Sequence, residues 1–438
     1  MRGFGFPALP VIAALIAGSL LSGPAFCTTL RFVTTTESVD AESVAERVSR
    51  LPDRDRAFAA IREEGGRVAG AIRSIVAPHD PQAREIWSAR GVTARLSNDQ
   101  VDLLSDEWPS LRFETIDSTA VPVSGNVDDT ASHLTPPAWN HVMCGSWDLS
   151  RLRNLTGKGV MVAVIGPDVP FDHPAIAERI IAQRTFGGAP ARGTEDLMLL
   201  HPLGLLAGKT DDKTIGTAPD VSIALATLPR GKVAADDLLS AIQWALEPIE
   251  GTRPVAVLLA VDFQTAAPRA IRDALAACKM AGILPILPAG NTPSRITGMA
   301  ALPDVLTIGA LDQWKTRAAF SGCGPAFVDG YQLRKPDYMA PGLAVTGPAA
   351  GNTYRQGSGT LQAAAHFAGI WAQIRQSKPD TEIETILTTL AITSRDLGPT
   401  GPDNDYGNGL ADPLAMLQYL ENPPSPPDAS GSLPVPPL

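Results

Sequence analysis

Between residues 146 and 421 the chain alternates near-continuous apolar runs with amphipathic segments. The runs GVMVAVI (159–165), VSIALATL (221–228), PVAVLLAV (254–261), ILPILPAG (283–290) and DVLTIGAL (304–311) carry almost no polar positions. Strands covered on both faces read this way. RAIRDALAACKMAG (269–282) follows a helical period instead. Strands alternating with helices predict right-handed crossovers and a mostly parallel sheet with helices on both faces. In such a sheet a site forms at the carboxyl ends of the strands.

Residues 28–120 read as a separate, small α+β unit. LRFVTT is a strand, and Val44, Val48, Leu51, Phe58, Ile61, Val68, Ile72 and Ile75 mark a helical stretch over 41–76. Pro52 and Gly65–Gly66 are expected to break it into pieces. GVTARL is strand-like, and Ser97 with Gln100 forms a capping box before a helix whose apolar face is Val101, Leu103 and Leu104. Pro109 ends that helix and LRFETI closes the unit. Residues 121–145, within a Ser-, Thr-, Asp- and Pro-rich stretch, read as a linker, and 422–438 as a Pro-rich disordered tail.

The first residues change the picture of where the protein works. MRGFGFPALPVIAALIAGSLLSGPAFCTT has one early Arg, an apolar run over 8–21 and a zone of small residues. That is the pattern of a secretory signal over residues 1–27, so the expected location is periplasmic or extracellular. The alternative, an uncleaved anchor, is disfavoured because the run is short for a bilayer span. The formal net charge of −10 over 438 residues weighs against a nucleic-acid partner. Removal with Cys27 leaves Cys144, Cys278 and Cys323, an odd set. Cys278 sits in an apolar helical pattern and reads as a buried thiol; a Cys144–Cys323 bridge is conceivable in an oxidising compartment.

Several blocks, in order, resemble the subtilisin-like serine proteases. GKGVMVAVI followed by DHPAI resembles that family's first catalytic strand and its His-Pro turn. IGTAPDVSIALATL, ILPILPAGN, FSGCGP, KPDYMAPG, TLQAAAHFAGIWAQI and DLGPTGPDNDYGNGLAD resemble its later blocks. Residues 91–117 resemble the end of the family's inhibitor-type propeptide, and DLSRLRNLTGKGV most resembles the bacillopeptidase F branch. The resemblance implies a parallel sheet flanked by helices over 146–421, behind a propeptide-like unit.

The same resemblance implies a Ser-His-Asp triad, in which Ser attacks, His takes its proton and Asp orients the His. Here Gly166 stands at the Asp position in VIGPD, Pro202 at the His position in LHPLGLLAG, and Leu361 at the Ser position in GTLQAAAHFAG. No cofactor and no metal is implied. Asn291 matches the family's oxyanion residue and His366 a packed structural position; Asp262 stands near the place of a family glycine, so a bound backbone is expected to lose its close approach there. Asp168, His201 and Ser358 lie near the vacant positions as candidate substitutes, with Asp168 expected in a solvent-facing turn and His201 at the surface or as a cap. Loss of a triad as a unit removes on the order of 10⁶ in turnover, a figure that comes from a subtilisin. That is roughly 8 kcal/mol of barrier.

Three readings follow. The first is an exported pseudoprotease that binds a peptide or protein in the former cleft and keeps its own propeptide-like unit. The second is a secreted endopeptidase with a relocated triad of Ser358, His201 and Asp168. The third is a metal-binding module on Asp168, Asp172, His173 and His201, whose spacing matches no tight metal motif.

Overall fold

The computed structural model describes residues 28–36, 54–116, 118–123, 126–131, 138–167, 173–188 and 199–423. The signal-like pattern, Asp168, Asp172 and the Pro-rich segment from 424 onward lie outside the described residues.

The N-terminal unit is an antiparallel sheet of β1 (Thr29–Thr35), β2 (Arg84–Ile86), β3 (Gly91–Leu96) and β4 (Leu111–Thr115), ordered β2-β3-β1-β4. Helices α1 (Arg54–Val76) and α2 (Asn98–Glu107) pack on it through Val68, Ile72, Val76 and Leu104. The capping box closes: Ser97 Oγ accepts from Gln100 N at 3.3 Å, and Gln100 Oε1 accepts from Ser97 N at 2.8 Å. One expectation fails here. Helix α1 runs unbroken through Gly65–Gly66. A Cβ at residue 65 would stand 2.2 Å from the Trp87 carbonyl oxygen, so the glycine serves a close approach between helix and turn.

The stretch read as a linker is also structured. It contains β5 (Thr119–Pro122), β6 (Asn126–Ala131) and α3 (Trp139–Met143), followed by α4 (Ser146–Arg153). Asn140 and His141 of α3 are buried, so this segment belongs to the core.

The large sheet comprises β7 (Met161–Pro167), β8 (Ile180–Thr185), β9 (Ser222–Leu228), β11 (Ala256–Leu259), β13 (Leu284–Pro288), β14 (Leu306–Leu311) and β17 (Tyr338–Pro341). Its order is β17-β14-β13-β11-β7-β9-β8 and every neighbouring pair is parallel. The apolar runs predicted the five inner strands. Edge strands β8 and β17 went unpredicted: IIAQRT is mostly exposed, and YMAP is short and carries a proline. The remaining strands are short: β10 (Val233–Ala234), β12 (Val261–Asp262), the hairpin β15 (Ala326–Val328) with β16 (Tyr331–Leu333), and the hairpin β18 (Val345–Ala349) with β19 (Thr353–Ser358).

Side-chain alternation along β7 assigns the two faces. Val162 and Val164 pack under α6 (Leu200–Ala207), α9 (Thr360–Ser377), α10 (Ile383–Thr393) and α11 (Pro413–Glu421). Ala163 and Ile165 pack under α7 (Ala235–Leu246) and α8 (Arg269–Met280). A short α5 (Pro174–Ala177) follows the His173 cap.

Helix α9 is buried from Thr360 through Arg375. Its polar side chains are therefore tied inside: Gln373 Nε2 donates to the Leu155 carbonyl at 2.7 Å and to Ser150 Oγ at 3.0 Å, and Arg375 donates to the carbonyls of Pro379 and Thr381. Trp371, with no exposure, donates Nε1–H to the Val255 carbonyl at 3.0 Å. Among the described residues no helix is long and apolar enough to cross a membrane.

Truncating this helix's largest anchor tests the arrangement. Trp371→Ala is expected to lower unfolding free energy by about 3–5 kcal/mol through cavity formation, read by urea denaturation. A loss under about 1 kcal/mol would mean α9 is not the packed centre.

Candidate functional site

Four chain segments converge at the carboxyl side of the sheet. The first is the end of β7. Gly166 is buried there, and a Cβ added to it would stand 2.9 Å from Ala260 Cβ and 3.1 Å from Leu199 Cδ2. No carboxylate fits at this position without moving those apolar groups. The second is the first turn of α6, where Pro202 is buried in the sterically permitted part of a helix start.

The third segment is the head of α9. Leu361 is 1% exposed and belongs to one apolar cluster with Leu199, Leu200, Leu203 and Ala260. The fourth is the turn after β13. Asn291 Oδ1 accepts from Thr360 N at 2.8 Å and from Thr360 Oγ1 at 2.9 Å. The amide oxygen thus caps α9 in place of a side chain of the helix's own, since Gly359 offers none.

The structure corrects the expectation for His201. It is not at the surface but fully buried, wedged under the β18–β19 hairpin. Cβ atoms at Gly347 and Gly357 would stand 2.9 Å and 2.6 Å from its ring, so both glycines permit the stacking. Its Nε2 lies 3.2 Å from the Arg355 carbonyl, which can only accept, so Nε2 carries the proton. Burial pushes its pKa down to about 4.

Ser358 does not complete a base–nucleophile pair with it. Residue 357 faces the imidazole, so the next residue of the strand points to the opposite side. Ser358 Oγ instead accepts from the Ala344 backbone N–H at 3.0 Å. His201 and Ser358 are therefore not brought together, and Asp168 lies outside the described residues.

His366 is buried and fully paired as a neutral ring. Asn140 Nδ2 donates to its Nε2 at 2.7 Å, and its Nδ1 donates to the Gln362 carbonyl at 2.8 Å. Burial depresses its pKa to about 3. His173 caps α5, with Nδ1 accepting from Ala175 N at 3.1 Å. Among the described residues no group of three or more His, Cys, Asp or Glu side chains is placed to hold a metal ion. The conceivable Cys144–Cys323 bridge is not formed; all three described cysteines are free thiols. Cys278 is buried, which pushes its thiol up to about 12.

A segment of the chain itself lies across the site. β5 is the middle strand of an antiparallel trio, β10-β5-β12, with Ala120 opposite Val233 and Val121 opposite Asp262. Val123 N–H donates to the Ala260 carbonyl at 2.8 Å. Three residues later the chain pairs with β19, Asn126 opposite Ser358 and Val127 opposite Gly357. Sequence reasoning missed this because short two-sided pairing leaves no hydrophobic period to read.

Asp262 also departs from expectation. It does not bar a neighbouring backbone, because a strand side chain leaves the sheet edge clear. Its carboxylate turns to the 3-10 turn Gly298–Ala301, accepting from Met299 N at 2.6 Å, Ala300 N at 3.3 Å and Phe263 N at 2.7 Å. Burial raises its pKa to about 7, against the opposing pull of those donors.

Residues 157–409, more than half the chain, match the subtilase family, and the chain belongs to that family. Among curated relatives, bacillopeptidase F of Bacillus subtilis (strain 168) is 29% identical over 291 residues, covering 58% of this chain and 20% of that protein. M-protease of Shouchella clausii (strain KSM-K16) is 28% identical over 346 residues, covering 74% of this chain and 86% of that protein. The subtilisin-like protease PopC of Myxococcus xanthus (strain DK1622) is 28% identical over 297 residues, covering 60% of this chain and 61% of that protein. The chain thus spans about a fifth of the first relative and about three fifths of the third.

The buried imidazoles give the fold an acid limb. As pH falls below 6.5, the unfolded chain binds protons that folded His201 and His366 refuse. Their stabilisation is complete above pH 6.5 and drains away as pH descends toward about 4 for His201. His201→Asn is expected to make that limb shallower by up to about 1.4 kcal/mol per pH unit, read from unfolding curves at stepped pH. An unchanged slope would locate the acid sensitivity elsewhere.

Proposed function

We propose that this subtilase is a catalytically silent, exported member of its family that works by binding a peptide or protein in its cleft. In this reading the family's Asp, His and Ser positions fall on Gly166, Pro202 and Leu361, none of which can orient, accept or donate a proton. The observation that carries it is the head of α9. Leu361 is 1% exposed within the large apolar core, while the neighbouring hydroxyls of Thr360 and Ser358 are engaged by Asn291 and by the Ala344 N–H.

The occupied cleft supports a second element of the reading. β5 adds to β10 and β12 by main-chain pairing, the way an extended peptide is held by an exposed edge. The chain then continues to β19 without a break in its sequence. A protein lacking a nucleophile leaves that segment uncut, so the N-terminal unit stays attached. A partner enters by displacing residues 119–131. Export to the periplasm or outside the cell rests on the signal-like pattern of residues 1–27. The relocated triad gains no support, since Ser358 and the ring of His201 lie on opposite sides of β19.

The exported protein is expected to have an intact mass equal to the chain without its signal, and to resist labelling by a fluorophosphonate probe. Two results would defeat the reading. One is a clean cut between residues 117 and 135 in a protease-free preparation. The other is labelling that disappears in Ser358→Ala.

A further inference from the structure

A cavity of about 520 Å³ lies on the seam between the N-terminal unit and the large sheet, away from the cleft. Its size is within the range of small-molecule sites. One wall carries Arg73 and Arg84 from the N-terminal unit; the other carries Arg184 and Phe186 from the end of β8 and Trp244 from α7. Phe186 and Trp244 stand with ring centroids 6.2 Å apart, tilted by 58°. Together they form an aromatic surface facing the space.

Most of the charges around it are paired. Arg73 lies 3.9 Å from Glu85, Arg84 is paired with the buried Asp236, and Glu247 is paired with Arg62 at 3.1 Å. Among the described residues Arg184 has no carboxylate partner; it is held over the Phe186 ring, 5.1 Å from the centroid. Asp237 lies close to Gly187 and is not paired with Arg184, so Arg184 stands beside the two rings as a guanidinium with no carboxylate partner among the described residues. A planar guanidinium fits a carboxylate through two parallel N–H donors.

We propose that the seam cavity is a binding site for a monoanion with a flat apolar body, an aromatic carboxylate whose acid group meets Arg184 and whose ring lies against Trp244 and Phe186. The acid can be a free small molecule or the carboxyl terminus of a peptide ending in an aromatic residue. The walls belong to two units that already touch here, with Gln243 Nε2 donating to the Glu85 carbonyl at 3.4 Å. The site rests neither on the silence of the cleft nor on what fills it.

Calorimetric titration of the full-length exported protein tests this with three probes: 3-phenylpropionate, N-acetylglycyl-phenylalanine and the C-terminal amide of that dipeptide. Saturable binding of both acids, at least about tenfold weaker in Arg184→Glu, supports a site for free aromatic acids. Binding of the dipeptide acid alone, with the same loss, supports a peptide carboxyl terminus. Arg184 is exposed, so its replacement leaves the fold intact; Arg184→Gln separates loss of charge from its reversal. The proposal is overturned if neither acid saturates below about 10 mM, if the amide binds as well as the acid, or if Arg184→Glu binds unchanged. A rise in melting temperature with the binding acid in wild type, absent in Arg184→Glu, is the independent readout of binding to the folded protein.

Discussion

A helix with no solvent face constrains everything around it. Most polar groups on α9 have a partner inside the protein, because an unpaired buried amide costs about 1–3 kcal/mol; Gln362 Oε1 and Gln373 Oε1 are exceptions among the described residues. His366 draws in Asn140, Gln373 reaches Ser150 and Leu155, and Arg375 ties the chain that follows it. These bonds fix α3 and α4 against the sheet. The helix head is fixed by Asn291, reaching over from the end of β13. The position of Leu361 follows from that clamp: it sits buried at the helix head, within the large apolar core.

Residues whose environment is local or uniformly apolar were legible in the sequence. The five inner strands are, because burial on both faces forbids polar positions, and so is the Ser97–Gln100 box, because both partners lie within one turn. What escaped depended on distant contacts. Gly65 reads as a helix breaker until the Trp87 carbonyl is seen against it. His201 reads as a surface residue until β18 and β19, more than a hundred residues later in the chain, close over it. Residues 121–145 read as a linker since the pairing of β5 and β6 goes to partners scattered along the chain. The family was legible from motif order, while the engagement of Ser358 by Ala344 was not.

The two faces of the molecule thus carry different chemistry. The cleft is lined by main chain and aliphatic groups and held by backbone pairing. The seam is lined by guanidinium and carboxylate groups beside two aromatic rings. In our proposed reading, the first holds an extended strand and the second a small anion, and the N-terminal unit contributes to both.

In the proposed reading, threading of β5 and β6 on one covalent chain has a kinetic and thermodynamic result for any visitor. The resident strand is tethered on both sides, so its effective concentration at the groove is in the millimolar range whatever the dilution of the protein. If the resident binds with a micromolar intrinsic constant, an invading peptide of equal quality is weakened about a thousandfold. Short free peptides are poor guests under that competition. A successful guest brings a second foothold on the surface and evicts the tether by avidity.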